Sequence, residues 1–430
     1  MNFNFVFDYS DEFRPSKVDL VINYHDSKKM RFKFWENKFI PVNWYDNIAI
    51  DLLYISMSVF AADRLCERSA SYNNWEREFN LYIPVLEKDI WNQKKLLLQE
   101  MLEFLSGDIW RIEFRSRKKS VIEEHCKKKW EKVKDKAKKY TKVCMFSGGL
   151  DSFIGAIDLL EKFKQNKEKI LFISHYGGGK GTIEYQKTLI NEFVREYNLD
   201  RENFIQFHSS IVGGVENTTR TRSFMFFAHA IALASTFGRS VDLTIPENGL
   251  ISLNIPSTFS RLGTSSTRTT HPYYMKQLQE LISAIGLSIV LNNPYQFKTK
   301  GEMLISCKDQ QFMRQNIENT MSCSHPDVGR LRGEKHTMHC GYCLPCVIRQ
   351  AALKKAGIID KSKYYDSSCK SVIQAKTNLN SYRQGLKKFN PKFSFMTIQM
   401  NGLISEDIDK YSELYKRGMV ELREYVEGIV

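Results

Sequence analysis

A chain of 430 residues, 42% of them apolar, has material for two or three domains with a substantial core and is too apolar to be a disordered chain. Its net charge of +14 invites a nucleic-acid reading, but residues 115–142 hold 13 Lys or Arg against 4 Asp or Glu and so carry nine of those charges. Such a local run reads as a solvated helical face, with an acidic partner such as tRNA as the less favoured alternative. No apolar run is long enough to cross a bilayer and the start lacks the features of a signal peptide, so the expected location is cytoplasmic, with no membrane partner.

In chain order, Phe3-Asn4-Phe5-Val6-Phe7, Val18-Asp19-Leu20-Val21-Ile22 and Met30-Arg31-Phe32-Lys33-Phe34 alternate apolar and polar, which predicts a small antiparallel sheet. Helical spacing follows over residues 47–68, with Ile48, Leu52, Ile55, Val59 and Ala62 on one face. Residues 79–85 alternate again, residues 91–105 read as a helix, and residues 123–139 read as the basic helix. Residues 1–140 are therefore expected to form an α+β accessory domain without a catalytic constellation.

From residue 142 the alternation becomes regular. Strands are predicted over residues 143–146, 170–175, 204–208, 241–245 and 287–291, with helices that include 182–197 and 223–237. This pattern implies an α/β fold, a parallel sheet covered on both faces with ligands at the carboxyl ends of its strands. Residues 141–354 form this unit, and residues 355–430 read as a helical extension whose last helix carries Tyr411, Leu414, Met419, Leu422 and Val426 on one face.

Behind the first of these strands stands Ser147-Gly148-Gly149-Leu150-Asp151-Ser152, which opens the helix at 153–160. Unpaired N–H groups at a helix N-terminus attract anions, two glycines let the backbone approach phosphate oxygens, and the Ser147 and Ser152 hydroxyls add donors. Gly177-Gly178-Gly179-Lys180-Gly181-Thr182 lacks the spacing of a Walker A loop. Four of the nine cysteines, Cys323, Cys340, Cys343 and Cys346, are concentrated in a short stretch and make a closed four-sulfur shell suited to structural zinc. An iron–sulfur cluster takes the same ligands, and His325, His336 or His339 can stand in for a thiolate.

The Ser147–Ser152 string resembles the PP-loop of the N-type ATP pyrophosphatases. With Tyr176-Gly177, Arg222 ahead of the apolar residues 223–237, Pro294-Tyr295-Gln296-Phe297-Lys298-Thr299-Lys300, Ser322-Cys323 and the run from Cys340 to Arg349, about half of the chain resembles the 7-cyano-7-deazaguanine synthases, the QueC family. That resemblance implies a HUP-type adenine-nucleotide domain, ATP, Mg²⁺ and Zn²⁺ as cofactors, and adenylation of 7-carboxy-7-deazaguanine followed by attack of ammonia. It also implies that Ser147, Gly148, Gly149, Leu150, Asp151, Ser152, His175 and Tyr176 bind the nucleotide, and that Asp151, Lys300 and Arg222 serve catalysis. Asp151 reads equally as a helix-capping carboxylate and Lys300 equally as a surface residue.

Two segments depart from that family. Gly178-Gly179-Lys180 replaces Gln-Arg-His, and the base-recognition string gives way to Glu247-Asn248-Gly249, Asn254-Ile255-Pro256, Arg261-Leu262-Gly263 and Ser266-Thr267-Arg268-Thr269-Thr270-His271-Pro272. With its added N-terminal and C-terminal parts, the chain looks more like the QueC-like proteins of Qat and CBASS antiphage operons. This pattern makes a protein amine on an operon partner an alternative acceptor to ammonia. Arg261, Arg268 and His271 are candidates for binding a substrate carboxylate, against a solvated basic loop. The rival functions are a housekeeping 7-cyano-7-deazaguanine synthase and a non-catalytic nucleotide-binding subunit of a defence complex.

Overall fold

The computed structural model describes residues 1–177, 180–218, 220–255, 268–334 and 336–429. The chain opens with β1 (Asn2–Val6), β2 (Leu20–Asn23), β3 (Met30–Phe32), α1 (Asn47–Leu65), β4 (Glu78–Val85), α2 (Lys88–Ser106), β5 (Ile109–Ser116) and α3 (Val121–Glu131). The alternating part follows as β6 (Lys142–Met145), α4 (Leu150–Lys162), β7 (Ile170–Tyr176), α5 (Lys180–Tyr197), β8 (Phe204–Ile211), α6 (Arg222–Ser235), β9 (Val241–Thr244), α7 (Gly249–Ser252), α8 (Pro272–Ala284) and β10 (Ile289–Asn292). Helices complete it: α9 (Lys300–Ile305), α10 (Gln310–Asn316), α11 (Leu344–Lys355), α12 (Ile373–Lys388), α13 (Ser394–Gln399) and α14 (Ile408–Val426). No helix among the described residues is long and apolar enough to cross a membrane.

Two sheets are found among the described residues. The larger has the order β10-β9-β6-β7-β8-β3, parallel except where β3 runs against β8. Its central strands β6 and β7 are almost wholly buried, as apolar strands covered on both faces should be. Val143, Met145, Leu171 and Ile173 face α1, α6 and α8, whereas Cys144, Phe146 and Phe172 face α4 and α5. The period of two in the strands thus gives each face of the larger sheet its own core, and a third forms around the cysteines and the C-terminal helices.

The smaller sheet, β2-β1-β4-β5, is parallel throughout. This corrects the expected antiparallel sheet. Alternation records that one face is buried, and β4 and β5 do alternate, but it carries no information on strand direction. Helices α1 and α2 cover one face, while Phe13, from the connection between β1 and β2, packs on Tyr82 and under Arg115 on the other. The third alternating piece does not join this sheet at all, since Met30, Arg31 and Phe32 pair with Ile211, Ser210 and Ser209 of β8. One continuous apolar core therefore includes Phe3, Phe79 and Trp110 of the smaller sheet together with Phe207 and Ile231 of the larger unit.

The basic helix is shorter than its pattern. A capping box at Ser120 and Glu123 starts α3, which stops at Glu131 where lysines begin to recur at like-charge spacing. The tie between the two sheets is ionic as well as apolar. Asp108, fully buried, accepts from Arg68 Nη2 at 2.7 Å and from Arg77 Nη2 at 2.7 Å. Arg77 also reaches Asp63 Oδ1 at 2.6 Å, and Asp63 Oδ2 accepts from the N–H and hydroxyl of Thr221 at 3.0 and 2.8 Å. Removing the shared carboxylate leaves buried Arg68 without its counter-charge and Arg77 with Asp63 alone, so Asp108→Ala is expected to cost about 3–5 kcal/mol, read from the midpoint of urea unfolding.

Candidate nucleotide site and cysteine cluster

Between the end of β6 and the start of α4 the chain turns through Ser147, Gly148 and Gly149. Gly148 has φ +84°, and a Cβ there would lie 2.9 Å from Gln186 Cγ, so the turn requires glycine. The loop is held by its own hydroxyls: the Gly148 N–H donates to Ser152 Oγ at 3.2 Å and the Gly149 N–H to Ser147 Oγ at 3.3 Å. Gln186 of α5 braces it from below, donating through Nε2 to the carbonyls of Ser147 (3.0 Å) and His175 (3.1 Å).

The second residue of α4, Asp151, is buried at the floor of the cleft. Its Oδ1 lies 3.2 Å from Nζ of Lys300, itself only 3% exposed, and its Oδ2 accepts from Asn248 Nδ2 at 2.8 Å. Lys300 is thus an internal cation, not a surface residue. Burial opposes ionisation of Asp151, but Lys300 and the hydrogen bonds from Glu247 and Asn248 outweigh it, so the carboxyl stays below its ordinary range. Glu247 is pushed the other way, its pKa raised well above the usual value first by burial and then by the charge on Asp151.

The helix that presents Lys300 is pinned by the end of the chain. Thr299 and Glu302 form a capping box for α9, and Glu421 of α14 accepts from the Thr299 hydroxyl at 2.7 Å and the Gly301 N–H at 3.2 Å. The C-terminal extension thereby fixes the position of the lysine.

These residues line a cleft of about 950 Å³ along the carboxyl edge of the larger sheet. Ser147, Gly149, Leu150, Asp151 and Ser152 stand on one side, with His175, Tyr176 and Arg222 also in its wall. His175 is buried and held neutral, since burial, His229 and Arg222 all lower its pKa well below the usual value. The other candidates lie elsewhere. Arg268 donates to the Phe104 carbonyl at 2.7 Å and stacks on that ring, and His271 caps α8 by accepting from the Tyr273 N–H at 3.2 Å. Burial and Arg268 push the His271 imidazole down to about 3. Both belong to the packing of α8 against α2, and Arg261 falls outside the described residues.

The four cysteines come together as expected. Their Sγ atoms all lie within 4.8 Å of one another, with Cys323 to Cys343 and Cys340 to Cys346 each at 3.9 Å. A tetrahedron with zinc–sulfur arms of about 2.3 Å has edges of about 3.8 Å, so the shell fits one zinc ion. A multi-iron cluster would place the thiolates on different irons and farther apart. His339 stays outside the shell, its Nδ1 3.9 Å from Cys346 Sγ and its Nε2 3.2 Å from the Thr320 carbonyl oxygen. Gly341, at φ +92°, makes the turn between the first two closely spaced ligands, and Cys343 opens α11. The segment leading into the cluster also braces the Ser147–Gly149 loop: the Met321 N–H donates to the Gly148 carbonyl at 2.9 Å, and Ser322 Oγ accepts from the Leu150 N–H at 3.2 Å.

No family model matches the chain, and no solved structure matches it. Among curated proteins it is 23% identical over 254 residues to the 7-cyano-7-deazaguanine synthase of Rickettsia felis, an alignment covering 52% of this chain and 98% of that protein. The synthases of Rickettsia bellii (23% over 248 residues; 52% and 97% covered) and Rickettsia canadensis (23% over 257 residues; 52% and 98% covered) are similar to the same extent. Over half its length, this chain is distantly similar to those synthases.

Side chains that the motifs did not announce also line or brace the cleft. Glu247 and Asn248 follow β9 at the carboxyl edge of the sheet, where ligands are expected, and that position is the signal that could have marked them. Gln186 lies within a helix and Glu421 in the last helix, and nothing local distinguishes either from a solvated residue. Arg220, two positions before the expected Arg222, also lines the cleft.

Proposed function

We propose that the protein is an ATP-dependent carbon–nitrogen ligase of the PP-loop type that adenylates the carboxylate of 7-carboxy-7-deazaguanine. A carboxylate oxygen attacks the α-phosphorus of ATP, the bond from that phosphorus to the bridging oxygen breaks, and pyrophosphate leaves. An amine then attacks the acyl carbon and AMP departs. The observation that carries this reading is a glycine turn at a helix N-terminus sharing one cleft with the buried Asp151–Lys300 pair.

In this mechanism the N-terminus of α4 and the hydroxyls of Ser147 and Ser152 cradle the phosphates. Lys300 supplies positive charge where negative charge builds, at a site largely shielded from water. Asp151 keeps Lys300 in place, and protonated Glu247 beside it offers a neutral donor. Asp151, the ionised carboxyl beside Lys300, would hold Mg²⁺ through an oxygen, the hard donor that suits that ion. Mg²⁺, when bound, supplies charge neutralisation at the leaving pyrophosphate.

The acceptor is ammonia or an amine on a protein encoded beside this one, and the setting proposed is bacterial antiphage defence. Support comes from the altered substrate segment and from the alignment itself, which takes in nearly all of the relatives but only 52% of this chain. The test is product analysis with ATP, Mg²⁺ and 7-carboxy-7-deazaguanine, with and without ammonium. AMP and pyrophosphate that form only with the deazaguanine support the ligase, and absence of AMP under every condition overturns it. Mass spectrometry that finds no adduct on any neighbouring gene product removes the protein acceptor.

Gly148→Ala places an L-residue at φ +84° against Gln186. Strain of about 1–2 kcal/mol should weaken ATP about 5- to 30-fold by calorimetry, with little change in the melting temperature.

A further inference from the structure

The carboxyl edge of the larger sheet presents a second helix N-terminus to the cleft. Helix α6 begins with Arg222 and Ser223, and these line the cleft together with Arg220. Its N-cap, Thr221, gives its hydroxyl to Asp63 and makes no side-chain cap to the N–H groups of α6. The positive end of this 14-residue helix is therefore left to another partner.

Arg220 is the independent sign that the partner is an anion. It is only 6% exposed, yet its Nε and Nη2 have no hydrogen-bond partner. A guanidinium carries five N–H donors. Here Nη1 donates to the Ser106 carbonyl at 3.3 Å, and the Trp75 ring centroid lies 4.4 Å from the guanidinium carbon. Ser223 Oγ is likewise buried without a partner. Among the described residues no hydrogen bond or ion pair engages Arg222, which is exposed to the cleft.

The nearby carboxylates are already committed. Asp108 holds Arg68 and Arg77, Asp63 holds Arg77 and Thr221, and Glu216 accepts from the N–H groups of Arg68 (2.9 Å) and Thr218 (2.7 Å). Arg64, Arg68, Arg77, Arg220 and Arg222 thus outnumber the acids around them. Burial and Arg68 push the Arg220 guanidinium down to about 9, still charged at neutral pH but short of counter-charge.

We propose that Arg220, Arg222, Ser223 and the N-terminus of α6 form a second anion subsite, which seats the carboxylate of the deazaguanine acceptor in the same cleft as the Ser147–Ser152 loop. The proposal rests on the ligase reading. Holding one carboxylate oxygen orients the other for attack on the α-phosphorus. A cleft of about 950 Å³ is at the upper end for one small ligand and has room for two. Trp75 and Ser106 belong to the first 140 residues, so that part of the chain shapes the acceptor site, and the requirement for it is acceptor selection.

The test is calorimetry on the full chain with a non-hydrolysable α,β-methylene ATP, using 7-carboxy-7-deazaguanine and 7-deazaguanine, which lacks the carboxylate. Wild type is expected to favour the acid by about 10- to 100-fold. Arg222→Gln, on the cleft surface, should reduce that preference to about 3-fold or less, with nucleotide affinity within about 2-fold of wild type. Arg220→Gln should do the same, and Arg220→Lys should restore part of it. If Arg220→Gln does not fold, Arg222→Gln and Ser223→Ala carry the test. A wild type without preference for the acid, an Arg222→Gln variant that keeps it, or variants that lose nucleotide instead of acid each overturn the subsite. A preserved preference without AMP formation leaves the subsite standing and removes the ligase reading.

Discussion

Lys300→Met is expected to abolish AMP formation and to destabilise the protein as well. The substitution removes the cation proposed to face the α-phosphate and also leaves Asp151 as a buried carboxylate whose main counter-charge is gone. Loss of a preorganised charge in a shielded site is worth about 10²–10³ in rate. Breaking a buried pair by deleting one partner costs about 3–5 kcal/mol, because the survivor has lost water and gained nothing in return. The two effects separate in a double-mutant cycle. Asp151→Asn with Lys300→Met removes both charges, so the urea midpoint should recover most of the way to wild type while AMP formation stays absent. A double variant as unstable as the single would mean that Lys300 matters to stability through its packing, and an active Lys300→Met would end the assignment of a catalytic charge there.

Cys343→Ser should unfold the third core of the molecule and silence the nucleotide site with it. Cys340, Cys343 and Cys346 share that core with Leu250, Tyr382, Leu414 and Tyr415, so the thiolate shell sits inside apolar packing and is not an appendage. A structural zinc site contributes about 10–16 kcal/mol in small zinc-binding peptides, more than the whole net stability of an ordinary domain. Zinc content measured by elemental analysis should fall from one ion per chain to near zero, and the melting temperature should drop by more than about 10 °C. Because Met321 and Ser322 hold the backbone of the phosphate loop, ATP affinity should be lost at the same time. Chelation of the wild type should reproduce both effects. Brown protein absorbing in the visible, with iron in place of zinc, would reverse the metal assignment.

The expected location of the site and its observed geometry differ in an instructive way. Ser147 to Ser152 and the four cysteines were legible because each depends on local chemistry, glycines where a turn needs positive φ and thiols two residues apart, whereas Lys300 was marked only by the family resemblance and read equally as a surface residue. Arg268 and His271 were candidates on composition alone, and both are absorbed by a packing contact with Phe104. Arg220 stood in the same kind of threonine-rich basic stretch, but its orphaned nitrogens set it apart. No local pattern separates a guanidinium that ends on a carbonyl from one that lacks an acceptor.

By itself, the sequence determined the α/β alternation of residues 142–292, the glycine turn that opens α4 and the four-sulfur shell. Those features are encoded in periods and spacings of a few residues, and a short stretch of backbone suffices to build them. The tertiary structure decided the rest: that the smaller sheet is parallel, that β3 joins the larger one, that burial and Asp151 raise the pKa of Glu247, and that Glu421 sets the place of Lys300. Alternation says which face of a strand is buried but not which neighbour covers it or in which direction that neighbour runs. The charge of a buried carboxyl depends on groups brought beside it from distant parts of the chain, and only the packed molecule puts them there.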